Sequence, residues 1–191
     1  MPNWCYTDYK VVGEKENLDK LQSILEELES MKKPLVDNGF GVSWLGNLVV
    51  KLGHDWNNIG CRGSWTNCER INDTLLSLST KTAWAECNEV RELICEEFDV
   101  TMYYLSEEEG MGIYETNDTE GGYFDGDYKL YLEDEGYSFY NDLEDLKDKI
   151  KEYTMITGIE TLEDCEEALN LYSEEHKDFC AYITKLVRIE N

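Results

Sequence analysis

The sequence is poor in proline, histidine, basic residues and long apolar runs. It contains 2 Pro and 2 His among 191 residues, and 17 Lys and Arg against 42 Asp and Glu. No apolar run approaches the roughly 18 residues of a membrane-spanning helix, and no basic segment followed by an apolar one marks a secretory signal. We therefore expect a cytoplasmic chain, with one domain or one domain plus a sizeable extension.

The shortage of positive charge is concentrated in the second half of the chain. Residues 1–91 carry 10 basic and 13 acidic side chains, whereas residues 92–191 carry 7 basic and 29 acidic ones. No Lys or Arg occurs between Arg91 and Lys129. Nucleic-acid phosphates and anionic membranes both select for positive charge. Direct binding to nucleic acid or to a membrane is therefore not expected.

Closely spaced cysteine pairs are also lacking. The seven cysteines are widely separated, no C-x-x-C pair occurs, and only His54 and His176 could supplement a zinc site. We expect reduced, partly buried thiols, with a metal or redox role and disulfides as the alternatives. No phosphate-binding glycine motif is present, so no cofactor is expected.

The order of elements predicts an α+β fold. Residues 4–12 predict a strand, and the leucine spacing from Leu18 to Met31 predicts an amphipathic helix that Asn17 can cap. Later segments predict a strand (74–82), a helix (83–98), a strand (99–105) and its hairpin partner (111–116). With one more strand from the glycine-rich insert at residues 35–73, this order matches a ferredoxin-like antiparallel sheet with helices on one face.

The remainder of the chain predicts an acidic elaboration of that unit. Residues 121–140 predict a hairpin, 141–156 a helix, and 180–190 a final strand. Thr161 begins a T-x-x-D pattern that predicts a capped helix. We expect a ferredoxin-like domain at 1–132 and a helical and strand extension at 133–191 packed on it.

The opening M-P-N-W-C and the tripeptide Thr82-Ala83-Trp84 resemble the YubB-type ferredoxin-like family of plasmid and phage proteins. The resemblance covers residues 1–132. It implies the ferredoxin-like fold and a setting in mobile genetic elements or their bacterial hosts. The family supplies no established reaction, so the resemblance implies no catalytic residue.

Aromatic and acidic residues are interleaved between residues 103 and 140. Tyrosines commonly anchor interfaces, and dense carboxylates speed encounter with basic partners. One interpretation is that the acids only coat a solvated surface and keep the protein soluble. The other is that the block docks a basic protein surface, which predicts a non-enzymatic interaction protein that blocks a nucleic-acid-binding or defence factor. The expected partner-binding residues are Glu107, Glu108, Glu109, Tyr114, Glu115, Tyr123, Asp125, Asp127 and Tyr128.

The alternative function is a small-ligand module built on the Gly/Trp-rich segment 39–65. Trp44, Trp56 and Trp65 would stack a base or a sugar, and Arg62 would hold an anion. The other two tryptophans have a structural interpretation: Trp4 belongs to the first strand, and Trp84 is expected to make a core contact before a helix.

Three patterns with catalytic or metal-binding potential are incomplete. Asp125-Gly126-Asp127 lacks the glutamate of a calcium loop, because Gly136 stands at its position 12. Glu107-Glu108-Glu109 is typical of a solvated turn. His54, Asp55 and Cys61 have no oxyanion motif beside them. We therefore expect neither a metal site nor an enzyme.

Overall fold

The computed structural model describes residues 3–176 and 179–190, and Met1 and Pro2 of the opening motif lie outside the described residues. The chain divides into two compact units between Asp118 and Thr119, and unit 2 extends to Glu190. This division falls before the predicted boundary at 132, because the strand at 128–132 pairs with strands of the second unit. The architecture is mixed α+β with mostly antiparallel sheet.

Unit 1 contains an antiparallel sheet with strands in the order β2-β3-β1-β4-β5. A helix follows β1, and another follows β3. Its elements are β1 (Trp4–Val12), α1 (Lys15–Glu29), α2 (Leu45–Lys51), a 3-10 turn (Trp56–Asn58), β2 (Gly63–Asn72), β3 (Leu75–Ala83), α3 (Asn88–Phe98), β4 (Thr101–Glu108) and β5 (Ile113–Thr116).

The core of unit 1 lies on one face of this sheet. Alternate residues of β1, β3 and β4 are buried, as the two-residue period of a strand requires. Against them α1 packs Leu18, Leu21, Leu25 and Leu28, and α3 packs Val90, Leu93, Ile94 and Phe98. On β1 the alternation buries Cys5 and leaves its neighbours Trp4 and Tyr6 exposed on the other face.

Two local predictions differ from the structure of unit 1. Asn17 lies inside α1, whose N-cap is Glu14, and so does not cap it. The helix predicted from residue 83 begins at Asn88, because Trp84 has φ +75° and interrupts a helical backbone. The strand expected from the insert is confirmed as the ten-residue β2, whose register shifts beside Trp65 and Arg70. Such shifts weaken the alternation that a sequence pattern detects.

Unit 2 has a three-stranded antiparallel sheet in the order β7-β6-β8. Its elements are β6 (Tyr128–Leu132), β7 (Gly136–Tyr140), α4 (Leu143–Thr154), α5 (Leu162–Glu175), β8 (Ala181–Lys185) and β9 (Val187–Arg188). Leu130 and Leu132 of β6 pack against buried residues of both helices, including Ile150. The predicted capping box at Thr161 is confirmed, since its side chain accepts from the Asp164 amide and Asp164 accepts from the Thr161 amide.

Across the described residues, no helix combines the length and apolar character needed to cross a bilayer.

Candidate functional site

Unit 1 has an open groove of about 990 Å³. All five tryptophans of the chain line it. We call it the tryptophan groove. Its lining is Trp4, Phe40, Ser43, Trp44, Trp56, Asn57, Ile59, Gly60, Cys61, Arg62, Gly63, Ser64, Trp65, Thr66, Lys81, Ala83 and Trp84.

Trp44 forms the centre of the groove wall. It precedes α2 as the N-cap residue, and an isolated bridge joins it to Ser64 of β2. Its ring meets Trp56 edge-on at 5.2 Å between centroids and stacks with Phe40 at 5.8 Å. Gly46 makes this packing possible, because a Cβ at that position would overlap the Trp44 ring.

The loop before Trp44 is fixed by one buried amide. The Asn47 side chain donates to the carbonyls of Gly41 and Val42 at 2.8 and 3.1 Å, and it accepts from the Val36 amide at 3.0 Å. These three bonds hold both ends of the loop that carries Phe40. The apolar ring of Phe40 is therefore held at the groove although it is 67% exposed.

The six aromatic side chains of the groove differ in how much of each is exposed to solvent. Trp44 and Trp65 are almost wholly buried, and the Trp65 indole donates to Glu29 Oε1 at 2.6 Å. Trp4 and Trp84 are 43% and 44% exposed. A bound molecule would therefore touch mainly Trp4, Phe40 and Trp84.

The charge of the groove is opposite to the charge of the chain. The chain has a formal net charge of −25, yet among the described residues that line the groove the charged ones are Arg62 and Lys81. Glu89, which lies beside the groove, accepts from the Gly60 amide at 2.6 Å. Arg62 is exposed, and it makes no ion pair within the described part of the chain. The groove is therefore a local positive site with aromatic walls.

Lys81 is held against the aromatic rings of β1. Its Nζ lies 4.9 Å from the centre of the Trp4 ring and 5.3 Å from that of Tyr6, which are cation–π distances. Residues 4, 6 and 81 come together because β1 and β3 pair with Tyr6 opposite Lys81.

The four residues predicted as a ligand site all line the groove: Trp44, Trp56, Arg62 and Trp65. The sequence reasoning missed Trp4, Phe40, Lys81 and Trp84. Trp84 was expected in the core, which is wrong because its side chain is exposed. The pairing of β1 with β3, visible only in the folded chain, brings Trp4, Lys81 and Ala83 to the same place as the insert.

Two of the residues predicted to dock a partner from unit 1 are buried. Glu108 accepts from the backbone amides of Gly110 and Met111, each at 2.7 Å, and so closes the turn after β4. Tyr114 is also buried, so neither can form a contact surface. Glu109 is exposed, and Glu107 and Glu115 are half-buried. Burial raises the pKa of Glu115 above its usual value.

The predicted docking residues of unit 2 also differ in exposure. Tyr123 and Asp125 are exposed. Asp127 accepts from Arg188 at 2.6 Å in an ion pair, and half-buried Tyr128 packs against the core of unit 2. Asp127 is therefore already engaged by a cation of its own unit.

No group of three His, Cys, Asp or Glu side chains in residues 3–176 and 179–190 is arranged to hold a metal ion. All seven cysteines are free. Burial raises the pKa of Cys68 and of Cys87 to about 11, so both are protonated near neutral pH. His54 bonds to Glu97 at 3.0 Å, and Asp55 accepts from Asn57, so neither is aligned on Cys61.

A buried polar cluster lies beneath the loop that leads to α3. Glu86 Oε1 accepts from the Tyr9 hydroxyl at 3.0 Å and from Arg91 Nε at 3.1 Å. Burial raises the pKa of Glu86, and the neighbouring Arg91 guanidinium opposes that shift. The cluster ties residues 84–87 to β1 and α3.

Comparison with known proteins gives no significant match among family models, curated proteins or solved structures. The resemblance to the YubB-type family therefore stays a prediction.

Proposed function

We propose that unit 1 is a binding module for a small ligand that combines a flat ring with negative charge, a nucleotide being the model compound. One observation carries the proposal: every tryptophan of a strongly acidic chain lines one groove, and the charged residues in its described lining are Arg62 and Lys81. Random placement of charge in this sequence would favour carboxylates there. The groove instead offers stacking surfaces beside a guanidinium, which suits a planar anion.

The net charge of the protein favours a small ligand over a long nucleic acid. Stacking of one base on an aromatic side chain contributes about 1–3 kcal/mol. A polynucleotide would bring many phosphates close to a chain with net charge −25, and each would be repelled within about 8 Å at physiological ionic strength. A single phosphate at Arg62 avoids most of that repulsion.

The fold of unit 1 is proposed to be ferredoxin-like. The order β2-β3-β1-β4, antiparallel throughout, with helices after β1 and β3, supports this assignment because it is the split βαβ order. Docking of a basic protein, a setting in a phage or plasmid, a cytoplasmic location and the lack of an enzymatic activity stay predictions. Exposed Glu109, Tyr123 and Asp125 are the residues left to serve such docking.

Tryptophan fluorescence tests the proposed function directly, because all five tryptophans line the groove. We expect titration with nucleoside monophosphates to quench the emission saturably, after correction for absorbance. The matching nucleosides should bind about tenfold more weakly, since the charge-assisted contact to Arg62 is lost. Inorganic phosphate alone should leave the emission unchanged.

Arg62→Gln should weaken nucleotide binding about tenfold, towards the affinity of the nucleoside. Lys33→Gln is the matched control, because it makes the same change in net charge at an exposed residue outside the groove. Absence of any saturable response to millimolar nucleotide, or equal effects of the two variants, would contradict the proposal.

A further inference from the structure

Trp84 has a backbone conformation that its side chain disfavours. Its φ is +75°, in the left-handed region that suits glycine and strains a residue with a bulky side chain. The other described non-glycine residues with positive φ are Asp99 and Met155. Each of those ends a helix as its C-cap, which is an ordinary place for this conformation. Trp84 lies between β3 and α3 and ends no helix.

Packing does not account for the tryptophan at this position. The Trp84 side chain is 44% exposed and lines the groove. Within the described residues its ring makes no ring–ring or cation–π contact. A glycine would adopt the same backbone without strain and would expose no large apolar surface.

The surrounding structure holds Trp84 firmly in this conformation. Its amide donates to the Asn3 carbonyl at 2.9 Å, and the buried Thr82 hydroxyl donates to the Ala85 carbonyl at 2.7 Å. Two residues further along, Glu86 is fixed by Tyr9 and Arg91. Strain that is held in place by several independent bonds is typical of functional sites.

The position of Trp84 matches the charge of the groove. The amide of Ala83 donates to the carbonyl of Arg62 at 2.8 Å, so the residue before Trp84 lies directly beside Arg62. The backbone segments that carry Trp84 and Arg62 are therefore neighbours, and both residues line the groove.

We propose that the Trp84 indole is the surface on which the ring of the ligand stacks, with the negative group of the same ligand at Arg62. This inference rests on the proposed function and adds to it the residue that selects for an aromatic ring. The strain at Trp84 is retained because it presents the indole to the ligand.

The test compares the wild-type protein with Trp84→Gly by calorimetric titration with adenosine monophosphate, which needs no fluorophore, and by thermal unfolding. We expect Trp84→Gly to weaken binding about tenfold, the loss of one stacked base. The same variant should keep its Tm or raise it by about 2–4 °C, because the backbone strain is relieved. Trp84→Phe should retain most of the affinity.

Asp99→Gly is the matched control. It relieves the backbone strain of a positive φ in the same unit, at a residue that does not line the groove. It should keep or raise the Tm and leave binding unchanged. Wild-type affinity in Trp84→Gly would overturn the inference and leave the proposed function intact. A Tm lowered by several degrees in Trp84→Gly would show a packing role and also overturn it. No binding by the wild-type protein would overturn both.

Discussion

At the scale of single residues, neighbours of the same type serve different purposes. Glu108 and Glu109 follow each other in an acidic triplet, and the sequence predicts one solvated tip for both. The alternation of β4 turns Glu108 inward, where its carboxylate accepts from two backbone amides, and leaves Glu109 exposed. The roles of the two glutamates are decided by burial. A local sequence pattern does not show which charged residue of a turn is buried.

Glu108→Ala should lower the free energy of unfolding by about 1–3 kcal/mol, because two amides of the turn lose their acceptor. Glu109→Ala is the control and should change it by no more than about 0.5 kcal/mol. Urea unfolding followed by circular dichroism measures both. Equal effects of the two substitutions would show that the turn does not depend on the buried carboxylate.

At the scale of elements, the sequence predicts the periodic segments well and the insert poorly. Apolar residues recur with helical spacing in α1 and α4 and alternate in β3. These periods are visible in the sequence, so the three elements lie close to the predicted bounds. The insert is irregular locally, and α2 and β2 are stable because they pack on the rest of unit 1. Of the groove, the sequence predicts residues that are close along the chain. It misses Phe40 of the insert, and it misses Trp4, Lys81 and Trp84, which the pairing of the strands brings to the groove.

The position of Trp44 depends on the missing side chain of Gly46, so Gly46→Ala should disturb the groove. The added methyl group overlaps the indole, and overpacking of this kind costs about 1–3 kcal/mol. We expect a lower Tm and a shift of the tryptophan emission towards that of exposed indole. Gly60→Ala is the control, because a Cβ at that position would meet the Glu89 side chain at ordinary contact distances, 3.6–3.7 Å, and the φ of Gly60 is not positive. An unchanged emission spectrum in Gly46→Ala would contradict the assigned packing.

At the scale of the whole molecule, the charge acts against the compact state. The formal net charge is −25, and the ion pairs described within the chain are mostly exposed. Exposed pairs contribute little, so they do not offset the mutual repulsion of so many carboxylates. The tryptophan groove differs from the chain as a whole, because its charged lining residues are basic. An anionic ligand that approaches it is repelled at long range by the net negative charge of the protein.

Added salt should therefore stabilise this protein and affect ligand binding through two opposing effects. Raising NaCl from 10 to 300 mM shortens the screening distance from about 30 Å to less than 8 Å, which weakens carboxylate repulsion and should raise the Tm by several degrees. The same salt should speed association of a nucleotide, because the long-range repulsion is screened, and should also speed its dissociation from Arg62. Differential scanning calorimetry and stopped-flow fluorescence measure the two quantities, with KCl at equal ionic strength as the control for a specific effect of sodium. An association rate that falls with salt would mean that the ligand approaches under attraction, which contradicts long-range repulsion by a chain of net charge −25.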